Sequence, residues 1–70
     1  MKGKYTIEIF YKEGISQKLN VIEYKLTSEY FSYTYIKNES RRYGIIHNLP
    51  DTITAINILE YDTPLLLITF

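Results

Sequence analysis

The chain has 70 residues, and its eight basic and eight acidic residues give a formal net charge of zero at pH 7. It contains no cysteine and one histidine, which excludes disulfides, thiolate metal sites and histidine-rich metal sites. A net charge of zero argues against a nucleic-acid partner, because proteins that bind nucleic acid usually carry a basic excess. We therefore expect a single domain spanning residues 1–70, without a metal or a cofactor.

The small size of the chain favours self-association. A domain of this length buries only about 60% of the surface of its unfolded chain, and the common remedies are disulfides, metals or oligomerisation. Since the first two are excluded, we expect a homo-oligomer. Residues 1–42 hold all eight basic residues but five acidic ones, and residues 43–70 hold the other three acidic residues. This asymmetry is either ordinary scatter or the mark of a bipolar molecule that attracts its neighbour or an anionic ligand.

Location and origin can also be predicted. The first ten residues hold no apolar run typical of a signal peptide. The longest apolar run, Leu65 to Ile68, is far shorter than the ~18 residues of a membrane span, so we expect a cytoplasmic protein without a membrane partner. Residues with AT-rich codons (Phe, Tyr, Met, Ile, Asn, Lys) number 33, and those with GC-rich codons (Gly, Ala, Arg, Pro) number 8. This bias favours a low-GC bacterium or one of its phages, and we expect a phage or mobile-element protein that acts in the host cytoplasm.

Alternation of apolar and polar residues predicts β-strands throughout the chain. The first strand spans residues 4–12 and ends at a Glu13-Gly14 turn signal. In the second strand the apolar phase changes at Val21-Ile22, which predicts either a bulge that bends the strand or a strand that is covered on both faces. After the first strand, the predicted strands are residues 18–26, 30–37, 43–48, 52–61 and 65–70.

Two of these strands leave alternatives open. Residues 52–61 could form a short helix capped by Asp51, but their β-branched residues favour a strand, entered through one 3₁₀ or short helical turn near residues 51–56. The last strand is apolar and uncharged, so we expect it to be covered, for example by another subunit. The elements together predict an all-β fold, a small antiparallel open barrel or curled sheet of five to six strands.

The bent second strand and the later segment Y-G-I-I-H-N-L-P-D-T-I-T-A-I-N-I (residues 43–58) resemble Sm-like and other SH3-like small barrels. In those proteins a strand pair precedes a short turn and a last barrel strand. The resemblance spans roughly residues 5–60 and is one of pattern. The glycine and Asp-Asn signatures of Sm proteins are missing, as is the N-terminal helix of the bacterial members. The resemblance implies a barrel, and no RNA-binding residue is transferred to this chain.

The sequence offers no constellation typical of an enzyme. It contains no phosphate loop, dinucleotide fingerprint or nucleophile elbow. His47 shares a strand face with Tyr43 and Ile45, which favours a structural role or a ligand contact over catalysis. The acidic residues fall mostly on turns and exposed strand faces, where solvation is the default for groups that could act in acid–base catalysis. We therefore expect a protein without enzymatic activity.

Residues 24–43 form the most distinctive stretch, since they hold most of the eight tyrosines and both arginines. Tyrosine combines a large apolar ring with a polar tip and is enriched at interfaces. Arginine offers several donors to phosphate or carboxylate and stacks on planar groups. Alternatively, the tyrosines are ordinary sheet residues and the arginines belong to a solvated turn. The candidate residues for binding a ligand or partner are Tyr33, Tyr35, Lys37, Arg41, Arg42, Tyr43 and His47.

Three functions remain as hypotheses. The first is a non-enzymatic interaction protein that binds a host protein, such as a defence factor, and blocks or sequesters it. The second is an oligomeric sponge for a small anionic nucleotide, with Lys37, Arg41 and Arg42 on its phosphates and tyrosines on its bases. The third is an Sm-like RNA-binding ring, which the zero net charge disfavours.

Overall fold

The structure is a computed structural model that describes residues 3–70. Its strands form two antiparallel sheets, one of four strands in the order β2-β1-β6-β7 and one of three strands in the order β3-β4-β5. This arrangement confirms the predicted all-β fold. The elements in chain order are β1 (Tyr5–Tyr11), β2 (Ser16–Val21), β3 (Glu23–Leu26), β4 (Tyr30–Lys37), β5 (Ser40–His47), α1 (Leu49–Thr52), β6 (Ile53–Glu60) and β7 (Thr63–Thr69).

The predicted bend in the second strand joins the two sheets. The chain leaves the ladder of β2 at Val21, turns at Ile22 and enters β3 at Glu23. The N–H of Ile22 donates to the carbonyl of Thr34 in β4 over 2.8 Å. One predicted strand therefore contributes to both sheets, which is why seven strands form rather than five or six.

The helical turn lies slightly earlier than expected, at Leu49–Thr52 rather than near residues 51–56. Pro50 is compatible with the first turn of a helix, where its missing N–H has no intrahelical partner to lose. The segment that follows is a strand, as predicted, because β6 begins at Ile53 and pairs with β1 along its whole length. No helix between residues 3 and 70 has the length and apolar character needed to cross a membrane.

The turn between β4 and β5 is tighter than the sequence pattern suggested. Only Asn38 and Glu39 lie between the paired residues Lys37 and Ser40, and their φ angles are 52° and 64°. Two central residues with positive φ are typical of a type I′ turn, whose twist matches that of the strands it joins. The strand therefore begins three residues earlier than predicted, and the prediction that Arg41-Arg42 form part of a turn is wrong, since both lie within β5.

The core lies between the two sheets. Alternate residues of β1 and β6 point into it, and Phe31 from β4 is its largest fully buried side chain. Burial of each such side chain contributes roughly 1.5–3 kcal/mol. The fully buried apolar residues are Ile7, Ile9, Val21, Phe31, Leu49, Ile53, Ile56 and Ile58.

Candidate functional site

The seven candidate residues from the sequence lie on β4 and β5, but on two faces of the three-stranded sheet. Directly paired residues of an antiparallel ladder share a face, and Tyr33 pairs with Gly44 while Tyr35 pairs with Arg42. Phe31 belongs to the same row as Tyr33 and is fully buried in the core. The core-side row therefore contains Tyr33, Tyr35, Lys37 and Arg42, and the outer face carries Arg41, Tyr43 and His47.

The tyrosines of the core-side row extend the core towards solvent. The ring centroids of Phe31 and Tyr33 lie 5.7 Å apart, and those of Tyr33 and Tyr35 lie 6.0 Å apart. A Cβ atom at Gly44 would overlap the ring of Tyr33, so this ring lies directly over the backbone of β5. Burial raises the pKa of the Tyr33 phenol above its ordinary value. These contacts make the row a packing element, with Lys37 and Arg42 exposed at its end.

The outer face of the same sheet carries a groove. The central strand contributes the short side chains of Ser32 and Thr34, whereas β3 and β5 contribute the longer side chains of Glu23, Lys25 and Tyr43. Across the outer face, the residues of the central strand therefore have shorter side chains than their paired neighbours on β3 and β5. Thr34 is buried at the floor of the groove that results. The resulting cavity has a volume of about 290 Å³.

Polar and aromatic contacts lie at both ends of this groove. At one end, a guanidinium nitrogen of Arg41 lies 3.7 Å from a carboxylate oxygen of Glu23. At the other end, the ammonium group of Lys25 lies 5.9 Å from the centroid of the Tyr30 ring, which lies 6.4 Å from the ring of His47. Since Arg41 and Glu23 are both well exposed, their ion pair contributes little to stability and remains available to a partner.

No strand within residues 3–70 pairs with the outer side of β5, although the carbonyl of His47, at the end of the strand, accepts a hydrogen bond from the Thr52 hydroxyl over 3.4 Å. The carbonyl of Thr34 accepts a hydrogen bond from Ile22 and so points towards β3. Because backbone groups alternate in direction along a strand, the neighbouring residues Tyr33 and Tyr35 point towards β5 and bond to Gly44 and Arg42. The residues of β5 between these partners direct their N–H and C=O groups away from the sheet, where the described residues place no strand. These residues are Arg41, Tyr43, Ile45 and His47, called the β5 edge below.

The β5 edge differs from the neighbouring edges in the side chains that it exposes. The short edge strand β3 carries Glu23 and Lys25, charged residues that discourage pairing with another chain. The β5 edge carries one charged residue, Arg41, and in addition exposes Tyr43 to 77% and Ile45 to 53%. Exposed apolar side chains beside unpaired backbone groups form the combination that a further strand can bind.

Sequence reasoning found three of the four β5 edge residues and missed Ile45 as a site residue. It noted that Tyr43, Ile45 and His47 share a strand face, but it had no means of telling which face is outward. It also missed the floor of the groove, Ser32 and Thr34. The two-residue turn at Asn38-Glu39 was the available signal, since it sets the register that pairs Thr34 with Tyr43.

The structure shows where the groups needed for the other hypotheses lie. Lys37 and Arg42 belong to the core-side row, and Arg41 lies on the outer face beside Glu23. The three cations therefore do not converge on one phosphate site. Within residues 3–70, no three His, Cys, Asp or Glu side chains are grouped closely enough to hold a metal ion.

The fold and the site together define a small two-sheet β domain with an edge strand that is open to pairing. No family model, curated protein or solved structure gives a significant match to the chain.

Proposed function

We propose that this chain is a non-enzymatic interaction protein that captures an extended segment of a partner protein along the β5 edge. The observation that supports the proposal is the coincidence, on one strand, of unpaired backbone groups and exposed Tyr43 and Ile45 side chains. An added strand gains affinity from main-chain hydrogen bonds and specificity from alternate side chains. The site does not need to catalyse a reaction, because binding alone blocks or sequesters the partner.

The chemistry of the outer face suggests what the partner segment contains. Its backbone would bond to the outward groups of Tyr43 and Ile45, and its alternate side chains would pack on these two residues. Tyrosine is a frequent hot-spot residue, and its removal from an interface commonly costs 2 kcal/mol or more. Arg41 offers a bidentate donor to a carboxylate of the partner in exchange for Glu23. We therefore expect an extended, apolar segment with an acidic residue near one end.

The excess of residue types that AT-rich codons encode supports a phage or mobile-element origin, and the partner would then be a host protein such as a defence factor. A protein of this kind acts in the host cytoplasm. Neither the nucleotide sponge nor the RNA-binding ring is supported by a specific feature of the site, since the cations of Lys37, Arg41 and Arg42 lie apart.

The proposal can be tested with backbone and side-chain variants of the β5 edge. Immobilised wild-type protein would be used to capture binding partners from a bacterial extract and to select extended peptides from a displayed random library. Ile45→Pro removes an outward N–H that no strand within residues 3–70 uses, and Ile45→Ala removes the side chain but keeps that N–H. We expect Ile45→Pro to lower affinity at least about tenfold relative to Ile45→Ala, which corresponds to one lost main-chain hydrogen bond.

Tyr43→Ala is the companion variant, and we expect it to lower affinity by roughly 10-fold to 100-fold. Lys12→Ala, in the turn after β1 on the other sheet, is a surface control that should bind as the wild type does. Equal affinity of Ile45→Pro and wild type for every captured protein and peptide would contradict the proposal.

A further inference from the structure

A second edge of the molecule, formed by β7, is protected against pairing only near its beginning, where Pro64 lies and the register with β6 shifts between Ile58 and Leu59. Only β6 pairs with β7, and no strand in residues 3–70 covers its other side. The strand contains no charged residue, yet Leu66 and Leu67 are exposed to 41% and 64%. Natural edge strands usually carry a charge or an irregularity that prevents association. From Leu66 onwards the edge is regular, apolar and uncharged, which suits it to association with another apolar strand.

The outward backbone groups of β7 can be assigned from one hydrogen bond. The N–H of Phe70 donates to the carbonyl of Thr54 in β6 over 2.9 Å. Since backbone groups alternate in direction, Ile68 also bonds to β6, whereas Leu67 and Thr69 direct their N–H and C=O groups away from the sheet. These two residues carry the groups that a further strand would satisfy.

We propose that β7 pairs with β7 of a second copy of this chain, in antiparallel orientation about a two-fold axis at Ile68. In this register Leu67 lies opposite Thr69 of the partner copy, and Thr69 lies opposite its Leu67. The outward groups of both residues are then satisfied in both copies. The pairing joins the two four-stranded sheets into one sheet of eight strands.

The side chains of β7 are self-complementary in the same register. Leu66, Ile68 and Phe70 share the core-side face by alternation, with Leu66 paired to Ile58 and Ile68 paired to Ile56. Across the axis, Leu66 lies opposite Phe70 of the partner copy, and Ile68 lies opposite its own equivalent. Leu66 and Phe70 are 41% and 39% exposed in the single chain. In the dimer, Leu66 of one copy and Phe70 of the other therefore cover each other. Aromatic and β-branched cross-strand pairs of this kind stabilise a sheet.

Charge selects the antiparallel orientation and favours a second copy as the occupant. The charged residues that directly precede β7 in the chain are Asp62 and Glu60, of which Glu60 lies 3.7 Å from the ammonium group of Lys4. Parallel pairing of two copies would place these acidic groups side by side, whereas antiparallel pairing places them at opposite ends of the interface. Because β7 is uncharged, it cannot form an ion pair with a charged segment of another protein. Two copies of β7 can pair with each other without charge repulsion.

The mass of the protein in solution tests this proposal. Light scattering across a concentration series up to roughly 1 mM would detect a dimer of millimolar Kd. We expect the wild type to approach twice its chain mass of 8.3 kDa. Leu67→Pro removes an outward N–H and should remain near 8.3 kDa, whereas Leu67→Ala keeps the N–H and should still dimerise. Ile45→Pro makes the same backbone change at the β5 edge and should dimerise as the wild type does.

Three results would overturn the proposal: a wild type that stays monomeric throughout the series, a Leu67→Pro variant that dimerises fully, or equal loss of the dimer in Leu67→Pro and Ile45→Pro. The last result would indicate pairing of β7 with the β5 edge of the next copy. Circular dichroism of each variant confirms that it is folded.

Cysteine cross-linking provides a second measurement that does not depend on a disruptive variant. The chain has no cysteine of its own. Ile68→Cys places two thiols in a non-hydrogen-bonded pair, where Cα atoms lie about 4.5 Å apart and a disulfide can form. Thr69→Cys places its two thiols on residues that are not opposite each other, beyond the roughly 7 Å limit. We expect oxidation to link Ile68→Cys dimers and not Thr69→Cys, and the reverse pattern would exclude this register.

Discussion

Gly44 is the position at which a single methyl group should reveal the packing of the three-stranded sheet. The ring of Tyr33 lies over the backbone of Gly44 on the core side, and a Cβ atom there would overlap that ring. Gly44→Ala must therefore displace Tyr33, which also stacks on Phe31 and Tyr35. Overpacking of this kind costs typically 1–3 kcal/mol, and loss of aromatic stacking adds about 0.5–1.5 kcal/mol. We expect the free energy of unfolding to fall by about 2–4 kcal/mol.

Urea unfolding at a fixed protein concentration, followed by circular dichroism, measures this change. The control is a double-mutant cycle with Tyr33→Ala, because removal of the ring leaves room for the new methyl group. In the Tyr33→Ala background, Gly44→Ala should be neutral or slightly stabilising, since alanine restricts the unfolded chain more than glycine does. A Gly44→Ala change that costs the same in both backgrounds would refute the inferred contact between the ring and the glycine.

Three further predictions follow from particular residues. Glu39→Gly should raise the free energy of unfolding by about 1 kcal/mol, because Glu39 adopts a φ of 64° that glycine tolerates better; a lower urea midpoint would contradict this. Stability should fall as the pH rises above about 10, since unfolded tyrosine ionises there while burial raises the folded pKa of Tyr33, so the unfolded state loses its proton first. Tyr33→Phe should flatten that decline in urea midpoints measured between about pH 8 and 11, and an unchanged slope would show that Tyr33 does not contribute. Arg41→Gln should change the free energy of unfolding by less than about 0.5 kcal/mol, because its ion pair with Glu23 is solvent-exposed; a larger loss would show that the pair is structural.

Much of the fold could be predicted because local pattern and tertiary packing agree. The alternation in β1 and the phase change at Val21-Ile22 are direct consequences of which side chains reach the core. The bend at Ile22 could therefore be predicted from the sequence. The β-branched residues of β6 likewise specify a strand, as the pairing of β6 with β1 confirms.

The parts that could not be predicted depend on contacts between distant segments. Strand β4 carries aromatic residues on one face and Ser32, Thr34 and Ile36 on the other, together with Tyr30, so its own sequence allows either face to meet the core. The choice is made by Phe31, which packs in a core assembled from β1, β6 and α1. The same choice determines that Tyr33 is a packing residue and that Tyr43 is exposed.

The candidate site was only partly predictable for a related reason. A cluster of tyrosine and arginine residues in sequence does not remain a cluster when a strand divides it between two faces. The location of unpaired backbone groups depends on strand order, which places β5 and β7 at edges. Residue composition alone carries no information about those groups. The sequence predicts that the last strand needs cover and that Ile45 shares a face with Tyr43, but it does not identify Ile45 or Leu67 as residues with outward backbone groups.

The affinity of Ile45→Pro for a captured partner, compared with that of Ile45→Ala, tests the proposed function most directly. The two variants both lack the isoleucine side chain and differ in one outward backbone N–H on the β5 edge. We predict that isothermal titration with the captured partner shows Ile45→Pro to bind at least about tenfold more weakly than Ile45→Ala. Equal affinity of the two variants would contradict strand pairing at the β5 edge.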